Sequence, residues 1–347
     1  MSLLLILLFL LLLVGVLYQI VKIGEYANVL RKEDAKDHLT LENESKTQAA
    51  MFVGFMVALA CFMYYIHISY QSFLLPISGS EHGATIDALM KFTMILIWLM
   101  FVSTHIVLTF FVWKYRYSKN RRATFYAHNN KLEMAWTIVP AVILTALVIY
   151  GLTVWNTVMF PKTENAFVLE IYAQQFKWTA RYSGKDAKLG DHNYRLTDDA
   201  TNPLAIDLSK NKNGEDDIMA SDTIYLPKNR NVLFYFRSRD VIHSAYMPHF
   251  RAQMNCVPGH ITQFGFKPIF TTEEMRLKTN NPNFNYMMLC NKICGSSHWS
   301  MPMVIKVTDE KTALDWWYAK KDYKTSLIPA EEPVAKSETA DSTNTKL

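Results

Sequence analysis

Four long apolar stretches, all in the first half of the chain, place the strongest limit on the fold. They cover about 2–21, 51–75, 92–113 and 134–156, and each is close to the roughly 20 residues that a helix needs to cross a bilayer. After residue 157 no comparable stretch follows, so the mean hydropathy of the whole chain is only +0.02. The sequence therefore predicts membrane helices followed by a soluble domain of about 170 residues, which is enough to bury a core of its own.

The positions of Lys and Arg predict the orientation in the membrane. Basic residues gather in the loop after the first apolar stretch and in the loop after the third, whereas the segment between the second and third carries only Lys91. Basic loops stay on the cytoplasmic side, so the C-terminal domain is expected outside the cytoplasm. A cleaved signal peptide is the alternative for the first stretch, but a basic n-region and a clear cleavage site are missing, which favours a retained helix.

The second half of the sequence has the pattern of an all-β domain. Alternating apolar segments at 167–172, 232–236, 262–266, 286–289 and 303–307 predict short strands, and Pro258-Gly259 predicts a turn between two of them. Such a series is typical of a β-sandwich or Greek-key barrel. Residues 183–223 are polar and predict an inserted loop, and 309–322 predict a closing helix.

These observations divide the chain into four regions. We expect an N-terminal membrane region with two apolar helices at 1–90, a transmembrane helical hairpin at 91–156, an external domain at 157–325 and a disordered tail at 326–347, rich in Glu, Ala, Ser and Thr. The net charge of +5 owes much to the basic loops. It gives no indication of a nucleic-acid partner.

A cluster of sulfur and imidazole side chains predicts a metal site. Cys290, Cys294, His298 and Met301 lie within twelve residues, and His243 precedes them. Soft sulfur ligands with imidazole favour copper; two thiolates can bridge a pair of copper ions and leave one imidazole for each. A surface disulfide or a zinc site is the alternative, although zinc has no particular use for a thioether. Outside the cytoplasm, the two thiols would tend to oxidise unless a metal holds them.

At these residues the sequence resembles subunit II of the haem–copper respiratory oxidases, of the cytochrome c oxidase kind with a binuclear CuA centre. The similarity lies in the pattern Cys-x-x-x-Cys-Gly-x-x-His-x-x-Met and extends to further segments. These are Asp240 with His243, Pro258-Gly259, Gln175 with Trp178, and residues 133–140. The resemblance implies a transmembrane α-helical anchor with an all-β, cupredoxin-like Greek-key barrel or sandwich.

The resemblance also implies a role for each residue of the cluster. Cys290 and Cys294 would bridge the two coppers, His243 and His298 would each bind one of them, Met301 would be a weak axial ligand, and the backbone carbonyl of Lys292 its counterpart. The implied enzyme is a proton-translocating cytochrome c oxidase of the bacterial inner membrane with its C-terminal domain in the periplasm. This subunit would take electrons from cytochrome c, or from a complex containing one, and pass them to haem in subunit I.

Two departures from the family pattern predict differences in function. Lys292 replaces a Glu whose side chain helps to bind magnesium, so we expect no magnesium-binding carboxylate from this subunit. Phe176, followed by Lys177, replaces the exposed Trp that commonly receives electrons, so we expect a different donor surface. At the start of the fourth apolar stretch, Glu133 is either a solvated helix-start carboxylate or the mouth of a proton pathway, and both interpretations stay open.

The sequence also leaves an alternative function for the protein and predicts structural roles for several other side chains. A membrane-tethered copper-binding or assembly protein is the alternative function, and a quinol-oxidase subunit is disfavoured because that branch lacks the copper ligands. The remaining singled-out side chains are expected to be contacts or packing groups, not ligands. They are His67, His105, His249, His260, Cys61, Cys256, Trp316 and Trp317.

Overall fold

The structure is a computed structural model that describes residues 2–31, 38–160, 164–210 and 212–320. The predicted tail at 326–347 lies outside the described residues. Within them, the four apolar stretches form four long helices, α1 (Ser2–Arg31), α2 (His38–Tyr70), α3 (Glu81–Lys114) and α4 (Asn130–Met159). Segments Thr40–Tyr70, Glu81–Lys114 and Asn130–Met159 are long and apolar enough to cross a membrane, and most of their apolar side chains are exposed, as lipid-facing residues are.

The helices run beyond the apolar stretches that predict them. α2 begins with a polar segment that includes Glu42, Glu44 and Lys46, and α3 begins at Glu81 and contains Asp87. The difference has a simple physical cause: apolar composition marks only the part of a helix that meets hydrocarbon, whereas backbone hydrogen bonds continue into the aqueous ends.

Two compact units divide the chain. The first contains α1, α2, the part of α3 from Ile95 onward, the loop after it and the start of α4 up to Ala135. The second contains residues 72–94 and the chain from Trp136 onward, including the β domain.

Two five-stranded sheets build the β domain. Their strand orders are β10-β7-β1-β2-β5 and β6-β12-β11-β8-β9, with a separate two-stranded sheet of β3 and β4. The pairs β1–β7 and β6–β12 are parallel and the other pairs are antiparallel. The strands are β1 (Phe167–Gln174), β2 (Lys177–Tyr182), β3 (Asp191–His192), β4 (Ile206–Asp207), β5 (Ile218–Ala220), β6 (Thr223–Pro227), β7 (Val232–Ser238), β8 (His243–Met247), β9 (Ala252–Cys256), β10 (Thr262–Phe266), β11 (Tyr286–Cys290) and β12 (Met303–Thr308).

One apolar core joins the two large sheets. It contains Ile171 and Phe234 of the first sheet with Tyr286 and Ile305 of the second, all fully buried. In β12 the residues alternate between buried and half-buried along the strand, which is the period-2 pattern of a strand with one face on a core. The predicted fold class, a transmembrane helical anchor with an all-β cupredoxin-like domain, is confirmed.

The segment 183–223, predicted as a loop, also contains short strands and covers a buried ion cluster. Arg181 of β2 is almost fully buried between Glu170 of β1 and Asp217, at 2.6 and 3.0 Å. Arg237 of β7 pairs with the other oxygen of Glu170. Burial raises the pKa of Asp217 to about 6, although the Arg181 guanidinium opposes the rise. Asp217 is one of the polar residues on which the loop prediction rested, yet it is buried in this cluster.

Two helices complete the domain. α5 (Thr272–Thr279), which was not predicted, has a capping box in which Thr271 and Glu274 satisfy each other's backbone N–H groups. α6 (Glu310–Tyr318) forms within the predicted closing segment and buries Trp317.

Arg251 joins the β domain to the first turns of α3. Its guanidinium donates to both carboxylate oxygens of Asp87, at 2.8 and 2.9 Å, and to the carbonyl of Pro76 at 2.6 Å. Ser80 donates to the carbonyl of Phe250 at 2.7 Å. A bidentate, charge-assisted contact of this kind fixes the orientation of the guanidinium relative to the carboxylate as well as the distance between them.

Candidate metal centre

Strand pairing brings the predicted ligands together although they lie far apart in the sequence. His243 begins β8 and Cys290 ends β11, and these antiparallel strands pair Cys290 with Ala245. The backbone N–H of Asn291 donates to the carbonyl of Ser244 at 3.0 Å, which extends the contact beyond the strand end. The loop that follows β11 then folds back before β12 begins at Met303.

All six predicted donor groups lie in this one cluster. The Sγ atoms of Cys290 and Cys294 are 3.9 Å apart, and both thiols are free. His243 Nδ1 lies 3.9 Å from the first thiol, and His298 Nδ1 lies 3.5 Å from the second. The last two donors are the Met301 Sδ, 3.5 Å from Cys294 Sγ, and the Lys292 carbonyl, 3.3 Å from Cys290 Sγ.

The chemistry of this donor set fits copper. His243, Cys290 and Cys294 have ligating atoms within 4.8 Å of one another, and they form the one such group of His, Cys, Asp and Glu found in the described part of the chain. Two thiols with imidazole and a thioether are soft ligands, which hard cations such as magnesium and calcium do not prefer. A structural zinc site is closed by four ligands, whereas this cluster offers six donors, including a thioether.

Half of the cluster is shielded from water, whereas Cys290 and His298 are half-buried and Lys292 is exposed. His243 is fully buried, Cys294 is 5% exposed and Met301 2% exposed. Burial, together with the neighbouring thiol of Cys290, raises the pKa of Cys294 to about 11. A bound metal must therefore displace a tightly held proton from this thiol, because the thiolate is the ligand.

Asp240 holds His243 in the orientation that a ligand needs. Its Oδ1 accepts from His243 Nε2 at 2.8 Å, which leaves the Nδ1 lone pair directed to the thiol side. Burial would raise the pKa of Asp240, but hydrogen bonds from the Gln175 backbone N–H, from His243 and from the Val241 N–H hold that pKa below its ordinary value. A carboxylate behind a histidine ligand fixes its tautomer and increases its basicity.

Two further residues, one in β2 and one in the turn before it, support the segment between β11 and β12, called the ligand loop below. Trp178 Nε1 donates to the carbonyl of Met301 at 2.8 Å, and Gln175 Nε2 donates to the carbonyl of Cys294. Sequence analysis singled out Gln175, Trp178 and Asp240 as part of a resemblance but assigned no role to them. The i, i+3 spacing of Asp240 and His243 was the available signal for one of these contacts.

Glu133 lies in the first turn of α4. Its Oε1 accepts from the backbone N–H of Asn129 at 3.4 Å, while the Asn129 side chain accepts from the N–H of Leu132 at 3.2 Å. These contacts favour the helix-start role for Glu133, because acidic groups stabilise helix N-termini.

The other singled-out histidines and cysteines lie outside the cluster. His67 packs edge-on against Trp98, and His105 Nδ1 lies 2.7 Å from the carbonyl of Phe101. His249 packs edge-on against two aromatic rings, and His260 is exposed. Cys256 is buried in β9, whereas Cys61 is exposed on α2.

Comparison with known proteins identifies the family. The model for the transmembrane domain of cytochrome c oxidase subunit II matches residues 50–154, and the model for its periplasmic domain matches residues 167–308. The chain belongs to the cytochrome c oxidase subunit II family. The family resemblance stated from the sequence is thereby confirmed, and all six predicted donors lie inside the match to the periplasmic domain.

Relatives with this name cover most of the chain. Alternative cytochrome c oxidase subunit 2 of Bradyrhizobium diazoefficiens is 28% identical over 241 residues, which are 69% of this chain and 81% of that protein. Cytochrome c oxidase subunit 2 of Cereibacter sphaeroides is 26% identical over 249 residues, 69% of this chain and 77% of that protein. The crystal structure of the periplasmic domain of subunit II from Bradyrhizobium japonicum aligns with 49% of this chain and 100% of its own, at 19% identity and a TM-score of 0.32.

Proposed function

We propose that this chain is the CuA-bearing subunit II of a respiratory terminal oxidase. It accepts single electrons from a cytochrome c-type donor and passes them to haem in subunit I, where oxygen is reduced to water and protons are translocated. The observation that carries this proposal is the convergence of two thiols, two imidazoles and a thioether in one cluster of a family member.

Six residues would hold a binuclear copper centre. Cys290 and Cys294 would supply the thiolates, His243 and His298 the imidazoles, and Met301 with the carbonyl of Lys292 the weaker donors. When bound, the copper pair supplies a site that gains and loses one electron at a time.

The surrounding protein would keep this centre rigid. Asp240 fixes the tautomer of His243, Trp178 fixes the backbone at Met301, and the burial of Cys294 excludes water. Ligands that are held in place before the electron arrives need little rearrangement, so less of the driving force is lost to reorganisation. The burial of His243, Cys294 and Met301 also favours an electron relay over an assembly protein, because exchange of metal with a partner requires accessible ligands.

The arrangement in the membrane follows from the basic loops. We propose a multi-pass protein of the bacterial inner membrane with its β domain in the periplasm, where a cytochrome c or a cytochrome c-containing complex can reach it. Subunit I and other oxidase subunits are its partners within the membrane.

The donor side of the centre is proposed to be the turn that contains Phe176. The Phe176 ring is half-buried against the ligand loop, since its Cζ lies 2.7 Å from the point where a Cβ on Gly295 would be. Lys177 beside it is exposed, so this surface differs from one that presents a Trp. An electron donor that is a fixed part of a larger assembly, and not a free soluble protein, suits a surface of this kind. Rapid reduction of the purified complex by free soluble cytochrome c would contradict a fixed donor, and an unchanged rate of electron entry in Phe176→Ala would contradict this donor side.

Electron paramagnetic resonance of the copper-loaded chain tests the proposal. We expect about two coppers per chain and a hyperfine pattern from one unpaired electron shared by both; Cys294→Ser should lose that pattern and Cys61→Ser should keep it. A single, readily exchanged copper per chain would support the assembly protein instead. Uptake of zinc alone would refute both.

A further inference from the structure

One residue in the turn between β1 and β2 contacts the support of one predicted metal ligand and the backbone of another. The backbone N–H of Gln175 donates to Asp240 Oδ2 at 2.7 Å, and its side-chain Nε2 donates to the carbonyl of Cys294 at 2.5 Å. These partners lie 65 and 119 residues away in the sequence. Gln175 therefore links three distant segments at the metal cluster.

The backbone contact acts on His243. Asp240 uses one carboxylate oxygen for Gln175 and the other for His243 Nε2. Since the first bond fixes the plane of the carboxylate, it also fixes the direction in which the imidazole presents Nδ1. The position of the turn thus controls the orientation of a predicted ligand.

The side-chain contact acts on Cys294. The peptide after this residue leads into Gly295, whose φ of +144° is one that L side chains rarely adopt. A Cβ at Gly295 would lie 2.8 Å from Gln175 Nε2 and 2.7 Å from Phe176 Cζ. The ligand loop and the turn are therefore in direct contact, and the glutamine amide fixes the carbonyl at their boundary.

We infer that Gln175 is a positioning residue of the metal centre, which holds Cys294 and the imidazole of His243 in one arrangement. The inference deepens the proposed function and rests on it for the identity of the metal. Gln175 as a whole is exposed, so replacing its side chain opens no core cavity. Its loss should change the metal cluster far more than the stability of the fold.

The test compares Gln175→Leu with Gln174→Leu in the full-length chain. The first change removes the amide donor but keeps the backbone N–H that Asp240 uses; the second makes the same chemical change at the half-buried neighbouring residue. In the metal-free, reduced protein, alkylation by iodoacetamide at Cys294 is followed by mass spectrometry of its peptide. We expect Gln175→Leu to react several-fold faster than Gln174→Leu, because the released carbonyl lets the loop open.

The copper-loaded proteins supply the second measurement. Loss of a group behind a ligand typically weakens metal binding about 10–100-fold, so we expect Gln175→Leu to release copper to a chelator at least about tenfold faster and to show an altered hyperfine splitting. Alkylation and copper release equal to those of Gln174→Leu would overturn the inference. If the unmodified chain binds no copper, the proposed function fails, while the alkylation rates still decide whether Gln175 positions Cys294.

Discussion

Replacing Asp240 by Asn tests how far the support behind His243 controls the metal centre. The carboxylate accepts three hydrogen bonds, from the backbone N–H groups of Gln175 and Val241 at 2.7 Å and from His243 Nε2 at 2.8 Å. An amide has only one acceptor oxygen, so Asp240→Asn must turn an NH₂ group toward at least one of these donors. In either rotamer the negative charge behind the imidazole is lost. If the NH₂ group faces His243 Nε2–H, the imidazole also loses its partner and can move its proton to Nδ1, where it blocks metal binding.

Two independent magnitudes agree on the size of this effect. A hydrogen bond to a charged group contributes about 1.5–3 kcal/mol, and losing the group behind a metal-binding histidine typically costs about 10–100-fold in affinity, which is about 1.4–2.8 kcal/mol. We therefore expect Asp240→Asn to weaken copper binding by at least about tenfold.

Competition with a chelator of known copper affinity measures this change in the purified chain. Asp199→Asn is the matched control, because it removes the same charge from an acid that is 78% exposed and pairs with Arg239 at the surface. It should leave copper affinity within about twofold of the unmodified protein. The reasoning is refuted if Asp240→Asn binds copper as tightly as Asp199→Asn does.

Three further predictions concern the β domain. Arg181→Met should destabilise it in urea by about 3–5 kcal/mol, because buried Glu170 and Asp217 lose their common partner; a loss below about 1 kcal/mol would contradict this. The raised pKa of Asp217 means that the folded chain keeps a proton between about pH 4 and 6 that the unfolded chain loses. The stability of unmodified protein relative to Asp217→Asn should therefore fall by about 2 kcal/mol as the pH rises through that window, and parallel curves would contradict it. Finally, metal analysis of the whole oxidase should show no magnesium coordinated by this chain at Lys292; coordinated magnesium there would refute the prediction.

The membrane helices and the donor set could be predicted from the sequence because their signals are local. A helix that crosses a bilayer needs one continuous apolar stretch, and four of the five side-chain donors fall within 290–301. The capping box of α5, formed by Thr271 and Glu274, is also a local signal, but α5 was not predicted from it.

The supports of the site could not be predicted in the same way. Gln175 and Cys294 are 119 residues apart, and their contact depends on how two sheets pack, which no local pattern specifies. The cluster of Glu170, Arg181 and Asp217 was missed for a related reason: charged residues in a polar sequence predict solvent exposure unless the partners that allow their burial are known.

The two sheets make different contributions to the proposed metal centre. The second sheet supplies donors through His243 at the start of β8, Cys290 at the end of β11 and the loop before β12. The first sheet supplies supports, since Gln175 follows β1 and Trp178 lies in β2. The geometry of the centre therefore depends on the apolar core that joins the sheets. A core substitution that shifts one sheet against the other should alter the spectrum of bound copper even where every ligand is retained.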